Sequence, residues 1–304
     1  MNRLCCVCGA DNYEPLYKPE HSPGPVVRCK VCDFVYVNPI ETDKALITEG
    51  PVLGDRPEDL LHSADLDAIK GSWEEPIIEA YLAELRPKQV NAEETLTYIN
   101  QLAGQRGKIL DYGCFCGVFL SVAQAQGWDA YGIEPLVMPS IYARGKFGLK
   151  VTTDTLRHDT FPADFFDVVT AFQVFEHIVD PQDSLEKIRH IIKPGGLIAI
   201  EVPNIENTWV KIFKEKHRHF VEDHVSFFSA ETLKRLLERF GFQPVGVYYP
   251  VRALSYRHFA WWIGRFAGKR SGGMAQNLVS RLGLDEKTIN LSFGDIVMVI
   301  ARKP

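Results

Sequence analysis

Two acidic residues flank a glycine-containing loop in the middle of the chain. An apolar run ends at Asp111, a loop with Gly113 and Gly117 follows, and a later apolar run ends at Glu134. Glycine lets a loop bring its backbone close to a ligand where a Cβ would collide with it. A carboxylate at the tip of the second strand can accept hydrogen bonds from both hydroxyls of a ribose. The arrangement predicts a nucleoside cofactor at the carboxyl ends of parallel strands.

The spacing within this loop separates it from two common nucleotide-binding loops. Residues 111–117 read Asp-x-Gly-x-x-x-Gly, whereas the dinucleotide fingerprint is Gly-x-Gly-x-x-Gly and a P-loop ends in Lys-Ser or Lys-Thr. A pyrophosphate is therefore a poor fit. The segment resembles the cofactor loop of class I S-adenosylmethionine-dependent methyltransferases, which normally has glycine where Cys114-Phe-Cys116 stands here.

Two later segments strengthen this resemblance. Residues 166–181 are similar to the fourth-strand motif of that superfamily, and residues 185–200 resemble its fifth-strand motif. The match covers roughly residues 107–250, and it implies an α/β fold with a doubly wound, Rossmann-like, mostly parallel sheet of seven strands. The apolar runs predict strands at 107–112, 129–133, 149–152, 166–172, 194–202, 243–249 and 293–301.

The resemblance also implies a set of cofactor-binding residues: Asp111, Gly113, Cys114, Gly117, Glu134, Asp154, Phe172 and Gln173. Asp111 would order the loop, and Glu134 would hold the ribose. Asp154 would lie near the adenine amine, while Phe172 and Gln173 would face the methionine or the sulfonium. Three threonines are alternatives for the adenine contact, through their backbone groups: Thr152, Thr153 and Thr155.

Two acid–histidine pairs follow predicted strands at the same sheet edge, where a methyl acceptor has to approach. They are Glu176-His177 and Asp223-His224. Histidine can remove a proton from a hydroxyl or a carbon acid because its pKa lies near neutrality. We expect His224 or His177 to act as a general base, oriented by Asp223 or Glu176. The alternative is a structural role, in which Glu176-His177 caps the next helix and fills the cleft wall. His217 and His219 are expected on a solvated face.

The segment around the second pair is similar to a motif of the zinc-ribbon sugar C-methyltransferases, Tyr-His-Glu-His-Leu-Ser-Tyr-Phe-Ser. In this chain residues 220–229 read Phe-Val-Glu-Asp-His-Val-Ser-Phe-Phe-Ser. The catalytic Tyr of that motif is replaced by Val221 and its Glu by Asp223, while His224 is retained. Those enzymes also begin with a four-cysteine ribbon, and a histidine matching His177 follows their fourth strand.

A second pattern, Glu-x-x-Glu-His with a downstream histidine, holds a divalent metal in small-RNA 2′-O-methyltransferases and, in similar form, in ubiquinone-pathway O-methyltransferases. Here it reads Gln173-x-x-Glu176-His177 with His224. Glutamine lacks the charge that a hard cation prefers. A second metal at this position is therefore an open alternative and not the favoured interpretation.

Four cysteines near the start of the chain have the spacing of metal ligands. Cys5-x-x-Cys8 and Cys29-x-x-Cys32 match a zinc ribbon, in which two knuckles present four thiolates to one Zn²⁺. The alternatives are chance cysteines or two disulfides. Cys6 is an extra candidate ligand. The remaining pair, Cys114 and Cys116, is expected to be a pair of small buried fillers.

Composition bounds the class of protein and its partners. The chain has 304 residues, 46% hydrophobic and 24% charged, with a net charge of −5. These are the values of an ordinary soluble protein, and the charge does not favour a nucleic-acid partner. The start lacks the apolar core of a signal peptide, and no apolar run is long enough to span a bilayer. A cytoplasmic location is expected.

The sequence divides into three predicted parts. They are a zinc ribbon over 1–40, a linker and helical segment over 41–105, and the methyltransferase domain over 106–304 with an insertion at 250–290. In the helical segment, Asn91 with Glu94 three residues later predicts a helix start. The insertion carries an aromatic and basic stretch at 251–270. It is predicted to be a packed helix or a lid, with lipid contact or nucleic-acid contact as less favoured alternatives.

The resulting prediction is an S-adenosylmethionine-dependent methyltransferase with a structural Zn²⁺ and a small-molecule acceptor. A sugar nucleotide or a natural-product intermediate is the candidate acceptor, methylated on oxygen or carbon. One alternative is an RNA methyltransferase whose ribbon binds the nucleic acid. The other is a non-catalytic scaffold that keeps the fold. The substituted cysteines in the loop favour the scaffold, whereas the retained acids and glycines favour the enzyme.

Overall fold

The computed structural model describes residues 2–41, 52, 56–260, 269–284, 287–292 and 294–304. Its strands are β1 (Tyr13–Tyr17), β2 (Val26–Cys29), β3 (Val35–Val37), β4 (Lys108–Tyr112), β5 (Asp129–Ile133), β6 (Lys150–Thr152), β7 (Phe166–Phe172), β8 (Ile192–Pro203), β9 (Ser226–Phe227), β10 (Gln243–Tyr248), β11 (Arg252–Ser255), β12 (Thr288–Leu291) and β13 (Ile296–Arg302). Its helices are α1 (Glu75–Leu82), α2 (Leu85–Ala103), α3 (Val118–Ala125), α4 (Val137–Phe147), α5 (Pro181–Ile191), α6 (Thr208–Phe213), α7 (Ala230–Arg239) and α8 (Lys269–Arg281).

Seven strands form the central sheet in the order β10-β13-β8-β7-β4-β5-β6. The pairs β8–β7, β7–β4, β4–β5 and β5–β6 are parallel, and β13 is antiparallel to both of its neighbours. A strand buried on both faces reads as a continuous apolar run, which is why these strands could be located in the sequence. The predicted α/β fold with a mostly parallel seven-stranded sheet is confirmed.

Helices cover both faces of this sheet. One buried cluster joins α5 and α7 to the sheet through residues such as Leu185, Ile188 and Leu236. A second cluster joins α2, α3 and α4 to the opposite face through residues such as Leu96 and Leu120. Each helix buries one apolar stripe, so the two layers together enclose the sheet. The sheet is therefore rigid, and its carboxyl edge is a stable platform for a site.

The start of α2 differs from the prediction. The helix begins at Leu85 and continues through Asn91, so the predicted helix start at Asn91 is wrong. The Asn91 side chain instead binds the backbone of Ala253 in β11, donating from Nδ2 to the carbonyl at 3.3 Å and accepting the amide at Oδ1 at 2.8 Å. A contact between distant segments has replaced the local cap that the sequence pattern suggested.

The N-terminal strands do not form a sheet by themselves. β1, β2 and β3 are antiparallel neighbours, and β9 completes the sheet by pairing with β3. In that pairing Val35 lies opposite Phe227, and Tyr36 lies opposite Ser226. The segment around residue 226 therefore connects the N-terminal strands to the region that follows β8. The predicted domain boundaries at 40 and 105 stay predictions.

The described part of the insertion contributes strands as well as helix. β11 pairs with β12, and residues 256–260 are helical. The predicted helix over 251–270 thus begins after a strand, and its part at 261–268 lies outside the described residues. Within the described part of the chain, no helix is long and apolar enough to cross a membrane.

Candidate active site

A cavity of about 960 Å³ opens at the carboxyl ends of β4, β5, β7 and β8. Parts of α1, α2 and β11 form its outer wall. Eight of the predicted site residues line it: Asp111, Gly113, Cys114, Glu134, Phe172, Gln173, His177 and Asp223. Four others lie behind the wall: Gly117, Asp154, Glu176 and His224. The cavity therefore brings the predicted cofactor loop and part of the predicted acceptor machinery to one place.

The loop after β4 is held by the sheet on which it rests. Asp111 is almost fully buried, and its Oδ1 accepts a hydrogen bond from Thr170 Oγ1 at 2.7 Å. Burial raises the pKa of this carboxyl to about 7. Gly113 follows with φ of 79°, a conformation that side chains other than glycine rarely adopt.

The two loop glycines are required by protein packing. A Cβ on Gly113 would lie 2.5 Å from Val174 Cγ2, and one on Gly117 would lie 2.6 Å from Leu149 Cδ1. Both residues also have positive φ. The sequence interpretation invoked a collision with the ligand, whereas the structure shows collisions with neighbouring side chains. The glycines let the loop lie flat on the sheet.

The two cysteines of the loop fill small spaces in the interior. A Cβ on Gly132 of β5 would lie 2.6 Å from Cys114 Sγ, so the thiol occupies the space that this glycine leaves. Cys116 is fully buried in an apolar cluster with Val137 and Ile141. Both thiols are free, and burial raises the pKa of each well above its ordinary value. These sulfurs are therefore neutral packing groups.

Glu134, just after β5, is fixed by two backbone amides. Its Oε2 accepts from Phe115 N at 2.7 Å, and its Oε1 accepts from Leu136 N at 2.9 Å. Burial raises its pKa to about 7. Each carboxylate oxygen can accept a second hydrogen bond. The carboxylate is thus oriented before any ligand arrives.

Two residues other than glycine have left-handed backbone conformations at this edge. Phe115 has φ of 47° and Gln173 has φ of 56°. Such conformations are uncommon and cluster at functional sites, where the surrounding structure holds them in place. Here Phe115 is held by its hydrogen bond to Glu134, and Gln173 N donates to Glu201 O at 2.8 Å.

The predicted adenine contact is less direct. The Asp154 carboxylate accepts from the amide of Thr155 at 2.8 Å and forms an ion pair with Arg157. Thr155, one of the threonines considered as an alternative, lines the cavity, whereas Asp154 does not. The role of Asp154 stays a prediction.

His177 and Asp223 meet on the acceptor side of the cavity. His177 Nδ1 is 3.0 Å from Asp223 O and 3.4 Å from Asp223 Oδ2. Because a carbonyl oxygen can only accept, Nδ1 must carry the proton in this bond. Nε2 of a neutral His177 is then an unprotonated acceptor, and the side chain is 22% exposed.

His224 and Glu176 lie behind this pair. The His224 ring packs edge-on against His177 with centroids 4.7 Å apart, and its Nδ1 is 2.9 Å from His219 O. Burial lowers the His224 pKa to about 4. Glu176 is 1% exposed, and burial raises its pKa to about 8. Neither of its carboxyl oxygens has a hydrogen-bond partner within the described residues. One potential ligand atom from each of Glu176, His177 and His224 lies within 4.8 Å of the others.

The neighbouring histidines contradict the prediction of a solvated face. His217 and His219 are each 6% exposed, and His219 N donates to His217 Nδ1 at 3.3 Å. Burial lowers the pKa of His217 to about 4. The basic run before them suggested solvent, but the chain turns inward after α6 and buries both rings.

Sequence reasoning missed three charged residues of the cavity wall. Glu201, at the end of β8, is 3% exposed, forms an ion pair with Arg252 and accepts from Gln173 Nε2 at 3.2 Å. Lys88 on α2 is half-buried, and its Nζ lies 3.8 Å from the centroid of the Tyr81 ring. Glu201 could have been found as an acid that ends an apolar strand. Lys88 and Arg252 reach the site from segments that no local pattern connects.

Lys88 differs from the other cations of the wall. Arg252 is paired with Glu201, and Arg218 is paired with Asp295. Among the described residues, no hydrogen-bond or ion-pair partner is found for Lys88 Nζ. Burial, with the charge of Arg252 as a smaller cause, lowers the Lys88 pKa to about 8. Within the described part of the chain, Lys88 is thus a cation that forms no ion pair, although the charge of nearby Glu84 raises its pKa in part.

The four N-terminal cysteines converge as a metal site requires. Cys5 Sγ is 3.4 Å from Cys32 Sγ, Cys8 Sγ is 3.5 Å from Cys29 Sγ, and all four sulfurs lie within 4.8 Å of one another. In a tetrahedral zinc site with Zn–S of about 2.3 Å, the sulfurs are about 3.8 Å apart. The four residues therefore fit Zn²⁺. Cys6 is buried and does not belong to this group.

Comparison with known proteins agrees with this geometry. A sequence family described as a methyltransferase domain matches residues 83–247. The chain belongs to this family. It is 30% identical to a ubiquinone biosynthesis O-methyltransferase of Bordetella avium, over 67% of this chain and 77% of that protein. It is 29% identical to the enzyme of the same name from Shewanella, over 40% of this chain and just 55% of that protein.

The fold of this methyltransferase also matches solved structures. A methyltransferase from Thermotoga maritima that depends on S-adenosylmethionine superposes with a TM-score of 0.51 at 18% identity, over 79% of this chain and 100% of that one. At this identity the match concerns the fold alone. The family makes this chain a methyltransferase, and the fold agrees with that assignment.

Proposed function

We propose that this enzyme transfers the methyl group of S-adenosylmethionine to an oxygen or carbon of a small-molecule acceptor, with His177 as the general base. The observation that carries this proposal is the His177–Asp223 pair on the cavity wall. The Asp223 carbonyl holds the Nδ1 proton at 3.0 Å, which leaves Nε2 free to take a proton. His177 also lines the cavity that holds the cofactor loop.

The cofactor half of the cavity matches the charges of S-adenosylmethionine. The oxygens of Glu134 suit the two ribose hydroxyls, and the flat loop at Gly113 leaves room for the methionine part. The cofactor also carries one carboxylate. Lys88, whose ammonium forms no ion pair with the described residues, is suited to bind it. The Lys88 ammonium lies over the face of the Tyr81 ring. The Tyr81 ring packs edge-on against that of Phe115 in the loop, with the ring centroids 4.7 Å apart.

The chemical step is an in-line displacement, so the enzyme must chiefly align the acceptor, the methyl carbon and the sulfur. An acceptor hydroxyl or carbon acid gives its proton to Nε2 of His177 as it attacks the methyl carbon. The electrons of the broken carbon–sulfur bond return to sulfur, which leaves S-adenosylhomocysteine. The Asp223 carboxylate, 3.4 Å from Nδ1, then faces the imidazolium that forms. His224 packs against His177 and positions its ring.

Two lines of support concern the acceptor. The relatives from Bordetella avium and Shewanella are named for O-methylation in ubiquinone biosynthesis, which favours a hydroxyl group. The resemblance of residues 220–229 to sugar C-methyltransferases favours a sugar nucleotide. A hydroxyl-bearing small molecule satisfies both. The net charge of −5 weighs against RNA as the acceptor.

We also propose that Cys5, Cys8, Cys29 and Cys32 hold one structural Zn²⁺. The sulfur spacings fit a tetrahedral site with no open position, which is the arrangement of structural zinc. Zinc would stabilise the deprotonated thiolates, and the four-stranded sheet would gain the free energy of metal binding.

A metal-assisted reaction is the second candidate, because the two buried oxygens of Glu176 have no hydrogen-bond partner among the residues that the structure describes and lie beside two histidines. Two His and one Glu form a donor set that proteins use for zinc. The fit is incomplete, since Gln173 stands where the related pattern has a carboxylate and turns its amide to Glu201. Metal analysis decides between the candidates: one zinc per chain supports the ribbon site alone, and a second bound metal supports the Glu176 site.

The test is a screen of hydroxyl acceptors with methyl-labelled S-adenosylmethionine. The variants His177→Ala and His177→Gln are then assayed with the acceptor that the screen identifies. We expect turnover to fall about 10²- to 10⁴-fold, the usual contribution of a general base. His190→Ala, on α5 and outside the cavity, is the matched control. Full turnover by both His177 variants would rule out this base.

A further inference from the structure

The side chain of Arg3 joins the N-terminal strands to the two segments that carry the acceptor-side histidines. Its Nη1 donates to Val179 O at 3.0 Å, two residues after His177. Its Nη2 donates to Val225 O at 3.1 Å and to Ser226 Oγ at 2.9 Å, directly after His224. One planar guanidinium thus links the segment after β7 to the segment before β9.

The guanidinium is held firmly on the N-terminal side. Arg3 N donates to Asn38 Oδ1 at 3.0 Å, and the guanidinium carbon lies 5.2 Å from the centroid of the Tyr36 ring. The Nε atom of Arg3 is buried, and no hydrogen-bond partner for it is found in the described part of the chain. Because an arginine fork has fixed geometry, the two segments that it binds are held at a fixed separation.

Backbone pairing continues this connection up to the catalytic pair. Val37 N donates to Val225 O at 3.0 Å, and β3 pairs with β9. On the other side of the same segment, the amides of Val225 and Ser226 donate to Glu176 O at 2.8 and 3.1 Å. The segment with Asp223 and His224 therefore lies between the N-terminal strands and the residue that precedes His177.

We infer that the N-terminal ribbon positions the acceptor half of the active site, with Arg3 as the positioning residue for His177 and Asp223. In the described ranges, the N-terminal strands make no such hydrogen bond to the cofactor loop, which is held by β4, β5 and β7. The inference rests on the proposed role of His177. It gives the ribbon a function in this small-molecule enzyme that requires no nucleic acid.

The test compares Arg3→Met with Arg239→Met in the full chain. Arg239 is exposed on α7 and donates to Cys6 O at 3.0 Å, so it also holds the ribbon but does not contact residues 223–226. Amide exchange at Val225 and Ser226 reports the segment directly and requires no acceptor. Calorimetric titration with S-adenosylhomocysteine reports the cofactor half.

In Arg3→Met we expect amide exchange at Val225 and Ser226 to accelerate about tenfold, as the loss of hydrogen bonds to a charged donor implies. Affinity for S-adenosylhomocysteine should stay unchanged. With an acceptor in hand, kcat should fall while the cofactor KM stays constant, and Arg3→Lys should recover part of the loss. Arg239→Met should show none of these changes.

Three results would overturn the inference: unchanged exchange in a folded Arg3→Met protein, a parallel loss of S-adenosylhomocysteine affinity, or equal effects in Arg239→Met. If Arg3→Met does not fold, Ser226→Ala removes one of the same hydrogen bonds and should accelerate exchange at Val225 to a smaller extent. The exchange result is independent of catalysis. If His177→Ala stays active while exchange at Val225 and Ser226 accelerates in Arg3→Met, the result contradicts the proposed general base and leaves the positioning role of Arg3 intact.

Discussion

The two halves of the cavity are built in different ways. The centre of the cofactor half comes from one stretch, 111–134, in which a strand, a loop, a helix and a second strand follow each other directly, and Lys88 on α2 and Phe172 on β7 add to it. The acceptor half joins His177, Asp223 and Arg252, which approach from three separate segments. Arg3 holds two of these segments from a fourth. A site made from contiguous chain depends on local backbone geometry, whereas an assembled site depends on the contacts that hold its parts together.

This difference predicts that changes in one half leave the other intact. The largest separation should come from His177→Gln, with turnover reduced about 10²- to 10⁴-fold and affinity for S-adenosylhomocysteine unchanged. Turnover measured beside calorimetric titration checks both values. A matching loss of S-adenosylhomocysteine affinity would show that the two halves are coupled.

Gly113→Ala should damage the cofactor half. The new methyl group would meet Val174 at 2.5 Å in a residue with positive φ, so the loop must move. We expect S-adenosylhomocysteine affinity to fall about 10- to 100-fold, since a strained conformation costs about 1–3 kcal/mol. Gly148→Ala is the control, because Gly148 has φ of +64° with nothing within 4 Å of its Cβ position. If both variants lost the same affinity for S-adenosylhomocysteine, the cause would be the positive φ that they share and not the collision with Val174.

Lys88→Met tests the proposed carboxylate contact. Affinity for S-adenosylhomocysteine should fall about tenfold, the value of a charge-assisted hydrogen bond in a partly buried site. An analogue of S-adenosylhomocysteine that lacks the carboxylate should bind the variant and the wild type equally. Lys146→Met, an exposed lysine on α4, should change neither affinity. If the wild type does not distinguish the two ligands, Lys88 binds another group.

The smallest predicted effect concerns pH. Burial raises the pKa of Glu134 to about 7 in the free protein, and donation by ribose hydroxyls should lower it in the complex. The complex then needs the ionised form, so the contribution of Glu134 to the affinity should be fully present above pH 7 and fall as the pH drops below it. The change is at most about tenfold per pH unit for one group. Titration with S-adenosylhomocysteine at pH 6 and pH 8 measures it, and a smaller pH dependence in Glu134→Gln would assign the effect to this residue.

The same contrast explains what could be read from the sequence. The strands of the sheet follow short-range patterns and could be located in the sequence. The loop residues Asp111, Gly113 and Glu134 could be proposed from such a pattern as well, and their cofactor contacts stay predictions. Lys88 and Arg3 have no local signature, because their importance depends on segments that are distant in the chain. The helix start predicted at Asn91 was wrong for the same reason, because the Asn91 side chain accepts a hydrogen bond from Ala253 in β11 and does not cap a helix.

Other errors came from reading residues without their surroundings. The basic run before His217 and His219 suggested solvent, yet both rings are buried. The loop glycines were explained by contact with a ligand, which stays a prediction, whereas the structure shows that Val174 and Leu149 set a steric limit at both positions. Residue type and spacing indicated a tight loop, and the packing shows why it contains glycine.

The pairing of β3 with β9 has a consequence for how the chain folds during synthesis. The first three strands leave the ribosome early, but the fourth strand of their sheet follows most of the methyltransferase fold in the chain. Pairing between such distant segments is slow, because a long loop must close before the contact forms. Until then the edge of β3 stays open for wrong partners, and early metal binding would keep the nascent strands in order while they wait.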